Sequence, residues 1–484
     1  MIATTLGKGC DSCLNFTEHV QQVFSKKCTV VGLGISNLPL IDFLLAHGVC
    51  VTARDHKNAE DLGELPATLE KKGVTCFFGV DYLKGLTEDV IFRSPGLRPD
   101  VPELAEAVER GAEILSEMEL FFELCPARIV GITGSDGKTT TTTLTGKFLT
   151  VECKKSGGKT FVGGNNGVPL ISCVEDMTEQ DFAVLELSSF QLFDLTRSAY
   201  RAAITNLSPN HLNWHVDMEE YCRAKTNIFR HAQNVALVTN AENAESLRWA
   251  GECSSPVMLF SSSRDADDFP EHTGGSICVR DGWVTVIENG ISHPMVRVED
   301  IVLTGRHNLE NYMAAIGATF GLVSPESVQE VATTFKGVEH RMEYVRTVDG
   351  VRFFNSSIDS TPTRTVAVLS SLGENLVVIC GGADKGVGFE PLAKILKERA
   401  KIVVLTGRTR QKIYDALMAE DAKMPILMEA DFKQAVLLAR SQAQWGDTVV
   451  LSPACTSFDA FRNFEERGET FRRIVWEFEE NTVQ

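Results

Sequence analysis

The sequence predicts an α/β protein of three domains. These are a Rossmann-like N-terminal domain, a central domain of P-loop type with a mainly parallel sheet, and a Rossmann-like C-terminal domain. Three observations carry the prediction. Short runs rich in Val, Ile and Leu, such as residues 28–31 and 375–382, alternate with helical patterns, as parallel strands covered on both faces do. Two strands lead directly into glycine turns that open helices, at Gly32–Gly34 and Gly134–Gly137. The 484 residues accommodate two to four domains at roughly 100–200 residues each. The domains are expected at 1–118, 119–338 and 339–484.

In the first domain, residues 28–31 read as a buried strand, Gly32 and Gly34 as a tight turn, and 37–47 as an apolar helix. A second strand over 49–53 runs on to Asp55. Residues 89–93 give another strand, Ser-Pro-Gly follows at 94–96, and a helix over 101–110 ends at Gly111. In the second domain, strand 128–132 is followed by a glycine loop and a Thr-rich helix from about 139. Residues 182–186 and 202–206 read as buried strands, 218–232 as a helix and 309–320 as an Ala-rich helix. The Ser-, Asp- and Gly-rich stretch 251–300, with β-like runs such as 283–287, is expected as small strands or loops at the domain edge. In the third domain, strands at 351–355, 375–382, 401–407 and 447–454 are separated by helical patterns. Residues 458–480 read as one amphipathic helix.

Composition excludes several classes. With 43% hydrophobic and 23% charged residues the chain can bury several cores, so it is neither disordered nor dependent on disulfides. A formal charge of −18 argues against nucleic acid as a partner, although a glycine loop can still bind a small anion. The 13 cysteines are scattered, and Cys10 and Cys13 form a CxxC with no second pair nearby to complete a zinc site. Reduced thiols and a cytoplasmic location are expected. The first residues lack a basic segment followed by an apolar core, and no apolar run reaches the ~18 residues of a membrane span.

The most specific signal is GITGSDGKTT at 131–140. Backbone N–H groups around Gly134, Ser135 and Gly137 would cradle phosphates, Lys138 would reach the β/γ phosphates, and the hydroxyl of Thr139 would meet Mg²⁺. The strict pattern needs Gly where Ile132 stands. A capped glycine turn is the plainer alternative, but strand context, the Gly-Lys pair and the threonine run outweigh it. Glu186 ends a buried strand where a Mg²⁺ ligand is often needed; a strand end facing solvent would look the same. His211 follows a strand end and a turn in the same domain, and Lys225 taken alone is a solvated cation on a helix. In the first domain, Asn37 stands where a dinucleotide fingerprint has its third Gly. Asp55, 21 residues after Gly34, lies at the distance of a ribose-binding acid.

GITGSDGKTT, GGNNGVP, VLELSSFQL, TNLSPNHLNWH, YCRAKTNIF, GRHNLEN, EHRME and LSPACTSFDAFRNFEERG occur in this order. Together they resemble the Mur ligase family, from about residue 28 to the C-terminus, and LELSSFQL with SPACTSFDAF points to its D-glutamate-adding branch. The resemblance implies an N-terminal domain for the UDP part of the substrate, a central ATPase domain and a C-terminal domain for the amino acid. It implies a monomer with ATP and Mg²⁺ as cofactors and UDP-N-acetylmuramoyl-L-alanine and D-glutamate as small-molecule substrates. The implied activity is ligation through an acyl phosphate, in peptidoglycan precursor synthesis.

By the same resemblance, Lys138, Glu186, His211 and Lys225 are catalytic. Thr139, Glu186, His211 and Lys225, the last as a carbamate, serve the metal. Gly134, Ser135, Gly137, Lys138, Thr139, Thr140, Asn308, Asn311 and Arg341 serve ATP. Ile35, Ser36, Asp55, His56 and Gly96 face the UDP moiety, with Lys57 near the base, while Asn165, Ser188 and Gln191 follow the muramoyl-alanine path. Lys385, Ser457 and Phe464 contact D-glutamate. The sequence departs from the family at NSSIDST, 355–361, where Ser356 replaces a usual Asp and Ile358 a common Lys. Asp359 is the acid nearest to take over from the first. Asn213 replaces an acid after His211, and Asp136 an Asn before the Gly-Lys pair. Two other readings fit less well: a ligase for another amino acid, and a non-catalytic homologue that binds nucleotide and UDP-sugar.

Overall fold

The computed structural model describes residues 25–165, 169–270, 274–384 and 388–479. Cys10, Cys13 and Lys385 lie outside the described residues. The chain forms two compact units, Met1–Thr334 and Phe335–Gln484, the first built on two sheets and the second on one.

The first sheet contains β1 (Cys28–Val31), β2 (Val51–Asp55), β3 (Thr75–Phe78), β4 (Val90–Arg93) and β5 (Glu113–Leu115) in the order β3-β2-β1-β4-β5. All its pairings are parallel. β1 and β4 are buried along their whole length and were legible as apolar runs; β3 and β5 are partly exposed edges that carry no such run. The order reverses between β1 and β4, where Gly32 has φ 86° and a Cβ would come within 2.6 Å of the Ser94 hydroxyl. Glycine is therefore required for the two loops to touch.

The second sheet has nine strands. They are β6 (Arg128–Thr133), β7 (Thr160–Gly164), β8 (Phe182–Glu186), β9 (Arg201–Ile204), β10 (Ala236–Asn240), β11 (Val257–Phe260), β12 (Ser276–Arg280), β13 (Trp283–Glu288) and β14 (Ile291–Arg297). The order is β14-β13-β12-β11-β10-β9-β6-β8-β7, parallel from β7 to β12 and then an antiparallel meander. The 251–300 stretch thus extends the edge of the sheet. Helices Lys138–Ser156 and Arg306–Thr319 pack on each other, with Thr141 bonded to Asn311 and the Phe148 and Tyr312 rings 6.1 Å apart. The helix expected over 218–232 stops at Thr226: the Asn227 side chain turns to donate to the carbonyls of Leu192 and Phe193. One apolar core runs through both sheets of this unit, from Val30 and Leu40 to Leu185 and Ile204.

The third sheet contains β15 (Glu343–Val348), β16 (Val351–Asn355), β17 (Leu376–Gly381), β18 (Ala400–Thr406), β19 (Ile426–Met428) and β20 (Thr448–Leu451). The order is β15-β16-β20-β17-β18-β19, parallel except for the β15–β16 hairpin. The amphipathic helix expected over 458–480 is shorter, Phe464–Trp476. Its start is fixed by the Asn463 side chain, which accepts the Glu466 N–H at 2.8 Å.

Candidate active site

β8 and β9 flank β6, so the chain crosses over β6 between them and a crevice opens at the carboxyl ends of the three strands. Register aligns those ends: Ile132 pairs with Glu186, and Thr133 with Ile204.

The loop after β6 turns at Gly134 (φ 145°) and Gly137 (φ 79°). A Cβ on Gly134 would strike the Thr205 hydroxyl, and one on Gly137 the Asn311 side-chain oxygen. The loop is pinned from the β9 side. Ser135 N donates to Asn206 O at 2.8 Å, and Asp136 N to Asn206 Oδ1 at 3.0 Å. Ser135 Oγ donates to Ser208 O at 3.0 Å and lies 2.8 Å from the Tyr221 hydroxyl. Helix Lys138–Ser156 starts at once, so its first-turn N–H groups and positive dipole end sit at the crevice. Lys138 Nζ donates to Ser135 O at 2.8 Å, Thr139 and Thr140 are half-buried in the first turn, and Asp136 is exposed.

Two charge-bearing groups are buried beside this loop. Glu186, 1% exposed, accepts from Asn165 Nδ2 at 2.9 Å. Lys225, 2% exposed, donates to Thr133 Oγ1 at 3.0 Å and to Gly134 O at 2.9 Å, and its nitrogen lies 4.9 Å from the centre of the Tyr221 ring. Burial, with the Lys138 charge nearby, holds the Lys225 amine well below the usual lysine range. Two hydrogen bonds suit the two N–H groups of a neutral amine. His211 is exposed and adopts φ 56°, a conformation rarely held by a residue with a side chain. Its ring packs 4.8 Å from Phe190.

A cavity opens beside the phosphate loop, lined by Asp136, Gly137, Thr205, Asn206, Phe260, His307, Glu310 and Asn311. Asn311 is buried and accepts from Thr141 Oγ1 at 3.3 Å, and Asn308 Nδ2 donates to Thr304 O at 2.8 Å. Sequence reasoning missed Phe260, His307 and Glu310. Phe260 reads as a core residue at a strand end, and the other two as the solvated face of a helix.

In the first sheet, Ile35 is 80% exposed, while Ser36 and Gly96 lie on the loops after β1 and β4. Asp55 turns inward: one carboxylate oxygen accepts from Leu33 N at 2.7 Å and the other from Lys57 N at 2.9 Å, with exposed His56 alongside. Asn37 fills the place of the missing glycine and donates to the carbonyls of Val31 and Gly32. Ser188 and Gln191 bond to each other in a capping box that starts helix Ser189–Leu192.

In the second unit, Arg341 is exposed between His340 (φ 61°) and Met342 (φ 45°). Ser457 is buried and Phe464 opens the last helix. Asp359 is also buried, accepts from Ser452 Oγ at 2.7 Å, and has its carboxyl pushed up by desolvation. It braces the loop rather than facing outward. Sequence reasoning missed Arg467. This buried guanidinium donates to Ser357 O at 2.8 Å and, through two nitrogens, to Cys455 O at 3.1 and 3.2 Å. Burial lowers it to about 10.

Comparison with known proteins accounts for most of the chain. Residues 26–116 match the Mur ligase MurD-like N-terminal domain, 132–319 the Mur ligase middle domain, and 340–455 the Mur ligase glutamate ligase domain. The UDP-N-acetylmuramoylalanine–D-glutamate ligase of Clostridium novyi is 45% identical over 95% of this chain and 98% of its own. The enzyme of the same name from Symbiobacterium thermophilum is 46% identical over 93% and 98%. The structure of UDP-N-acetylmuramate-alanine ligase from Thermotoga maritima shares the fold, at 18% identity and a TM-score of 0.52 over 93% of this chain and 99% of its own. Among the described residues no helix is long and apolar enough to cross a membrane.

Proposed function

The chain belongs to the Mur ligase family, and from that premise we propose that it joins D-glutamate to UDP-N-acetylmuramoyl-L-alanine at the expense of ATP, in peptidoglycan precursor synthesis. We place it in the cytoplasm as a monomer. The observation that carries the reading is the meeting of a phosphate loop, a buried carboxylate and a buried lysine at the ends of three adjacent strands.

The donor set suits Mg²⁺, which takes oxygen ligands and is held through one or two carboxylates plus substrate phosphates. Glu186 would supply one carboxylate and Thr139, in the first turn of its helix, a hydroxyl, with His211 on the turn after β9 assigned as a further ligand. A lysine ammonium would repel the ion, but burial lowers the Lys225 pKa and so favours the free amine, the form that is nucleophilic toward CO₂. Addition of CO₂ forms an N–C bond and releases the amine proton, leaving a second carboxylate. Magnesium, when bound, neutralises charge on the transferring phosphoryl group.

The remaining roles follow from position. Gly134, Ser135 and Gly137 present backbone N–H groups to the ATP phosphates, Lys138 swings from the Ser135 carbonyl to the transferred group, and Thr140 closes the first turn. Asn311, which lines the cavity, and its neighbour Asn308 are assigned to the base and ribose of ATP. Arg341 is assigned to ATP on family membership alone. The free carboxylate of the L-alanyl group attacks the γ-phosphorus and ADP leaves. The D-glutamate amine then attacks the acyl carbon, phosphate departs and the amine proton is lost. Ser457, Phe464 and Lys385 hold D-glutamate. Ile35, Ser36, His56 and Gly96 face the UDP moiety, and Asn165 holds Glu186 beside the muramoyl path. Asp55, Ser188 and Gln191 shape their loops through backbone and side-chain bonds.

The test is phosphate release from Mg-ATP and UDP-N-acetylmuramoyl-L-alanine across amino acids of both hands. Release with D-glutamate alone is expected. Release with another amino acid would move the specificity, and release with none would remove the reading.

A further inference from the structure

The His211 turn is tied to the N-terminal sheet by side chains that have no role above. Gly96, on the loop after β4, accepts the Trp214 indole N–H at 2.8 Å. Two residues on, Arg98 grips Glu220 with both terminal nitrogens, at 3.0 and 3.2 Å, and donates to Trp214 O at 2.8 Å. Its guanidinium also lies over the Trp214 ring at 4.9 Å. A bidentate, stacked arginine fixes direction as well as distance. Glu220 in turn accepts the Val216 N–H at 2.9 Å, and the N–H groups of Trp214 and His215 both donate to His211 O at 3.0 Å. The left-handed His211 is therefore the first residue of a turn clamped at its far end. Phe190 braces the turn from below, with its ring stacked on His215 at 5.7 Å and edge-on to His211.

We propose that Trp214, Arg98 and Glu220 are positioning residues that lock the His211 turn to the Gly96 loop, so that binding of the UDP substrate and binding of the metal are coupled. The proposal rests on the reading above that Gly96 borders the UDP substrate and His211 serves the metal. Coupling of this kind is reciprocal: whatever the substrate does for the metal, the metal does for the substrate.

The test uses the full chain with ADP and Mn²⁺ as the probe, free Mn²⁺ being read by electron paramagnetic resonance with and without UDP-N-acetylmuramoyl-L-alanine. In the unmodified protein the UDP compound should tighten Mn²⁺ by about five-fold or more. In Trp214→Phe, which keeps a ring but loses the N–H, and in Glu220→Gln, the tightening should fall below about two-fold. In both, kcat should drop about ten-fold and, by the same reciprocity, KM for the UDP substrate at saturating metal should rise by about two- to three-fold. Should Glu220→Gln not fold, Trp214→Phe carries the test alone. No tightening in the unmodified protein, or full tightening in Trp214→Phe, overturns the clamp. Turnover with D-glutamate in the same preparations separates the two readings. Normal turnover with unaltered coupling in the variant removes the clamp only; no turnover in the unmodified protein removes both.

Discussion

The phosphate-loop crevice of the first unit and the loops after β16 and β20 in the second are both built at the carboxyl ends of parallel strands, yet they bury charge for opposite purposes. In the first unit the buried groups are the reactive candidates themselves, Glu186 and Lys225. In the second they are braces. Arg467 ties the Ser357 loop to the Cys455 loop, Asp359 holds Ser452, and Asn355 Nδ2 donates to Glu343 at 3.0 Å and to Gly468 O at 3.2 Å. Burial in the crevice therefore shifts the lysine amine, whereas burial in the second unit holds loops together.

The largest effect should come from breaking the reactive side. Lys225→Ala should lower turnover by about a thousand-fold or more while leaving UDP-substrate binding nearly intact. A short carboxylic acid should restore part of the activity, and full activity in the variant would remove the role. On the bracing side, Arg467→Met leaves the carbonyls of Ser357 and Cys455 without their donor. Chemical denaturation should show the second unit weakened by about 2–4 kcal/mol, with KM for D-glutamate raised more than KM for ATP. The opposite ranking of the two KM values would contradict a bracing role.

A smaller effect is expected from Gly137→Ala, whose new methyl meets Asn311 at a positive φ. ATP affinity measured by calorimetry should fall about 10–100-fold with little change in D-glutamate KM. Glu117 sharpens the contrast from outside both regions. It is buried in helix Glu117–Leu124, one of its carboxylate oxygens has no hydrogen-bond partner, and desolvation raises its pKa to about 8. Above the unfolded value near 4.5 the unfolded chain gives up this proton while the folded chain keeps it, so the residue subtracts stability increasingly from there up to about pH 8. Glu117→Gln should be neutral near pH 4 and stabilising by about 1–3 kcal/mol at pH 7.5 in thermal melts. Equal effects at both pH values would mean that Glu117 is ionised in the fold.

This contrast also explains what was legible in the sequence. The crevice is assembled from strand ends and one loop, so its residues carry local signals: the glycines, the Gly-Lys pair and the acid ending β8. Lys225 carries none, because a lysine on a short helix looks alike whether it points to solvent or into the core, and only the ordered set of motifs singled it out. Arg467 sits in Glu-Glu-Arg-Gly-Glu, which reads as a solvated helix face, and its partners lie on loops distant in sequence. The same non-local dependence hid the Trp214–Gly96 contact and the edge strands β3 and β5. The apolar periodicity of the last helix continues back through 458–463 and predicts too long a helix, while the cap at Asn463 decides where it begins.

If Lys225 takes up CO₂, a buried lysine becomes an anion at the ends of three strands. The most direct measurement is carbon-13 nuclear magnetic resonance of the protein equilibrated with labelled bicarbonate, beside Lys225→Ala. A carbamate resonance is expected in the unmodified protein, missing from the variant and lost, together with turnover, when CO₂ is removed. A protein that turns over at full rate in CO₂-free buffer with no such resonance would contradict it.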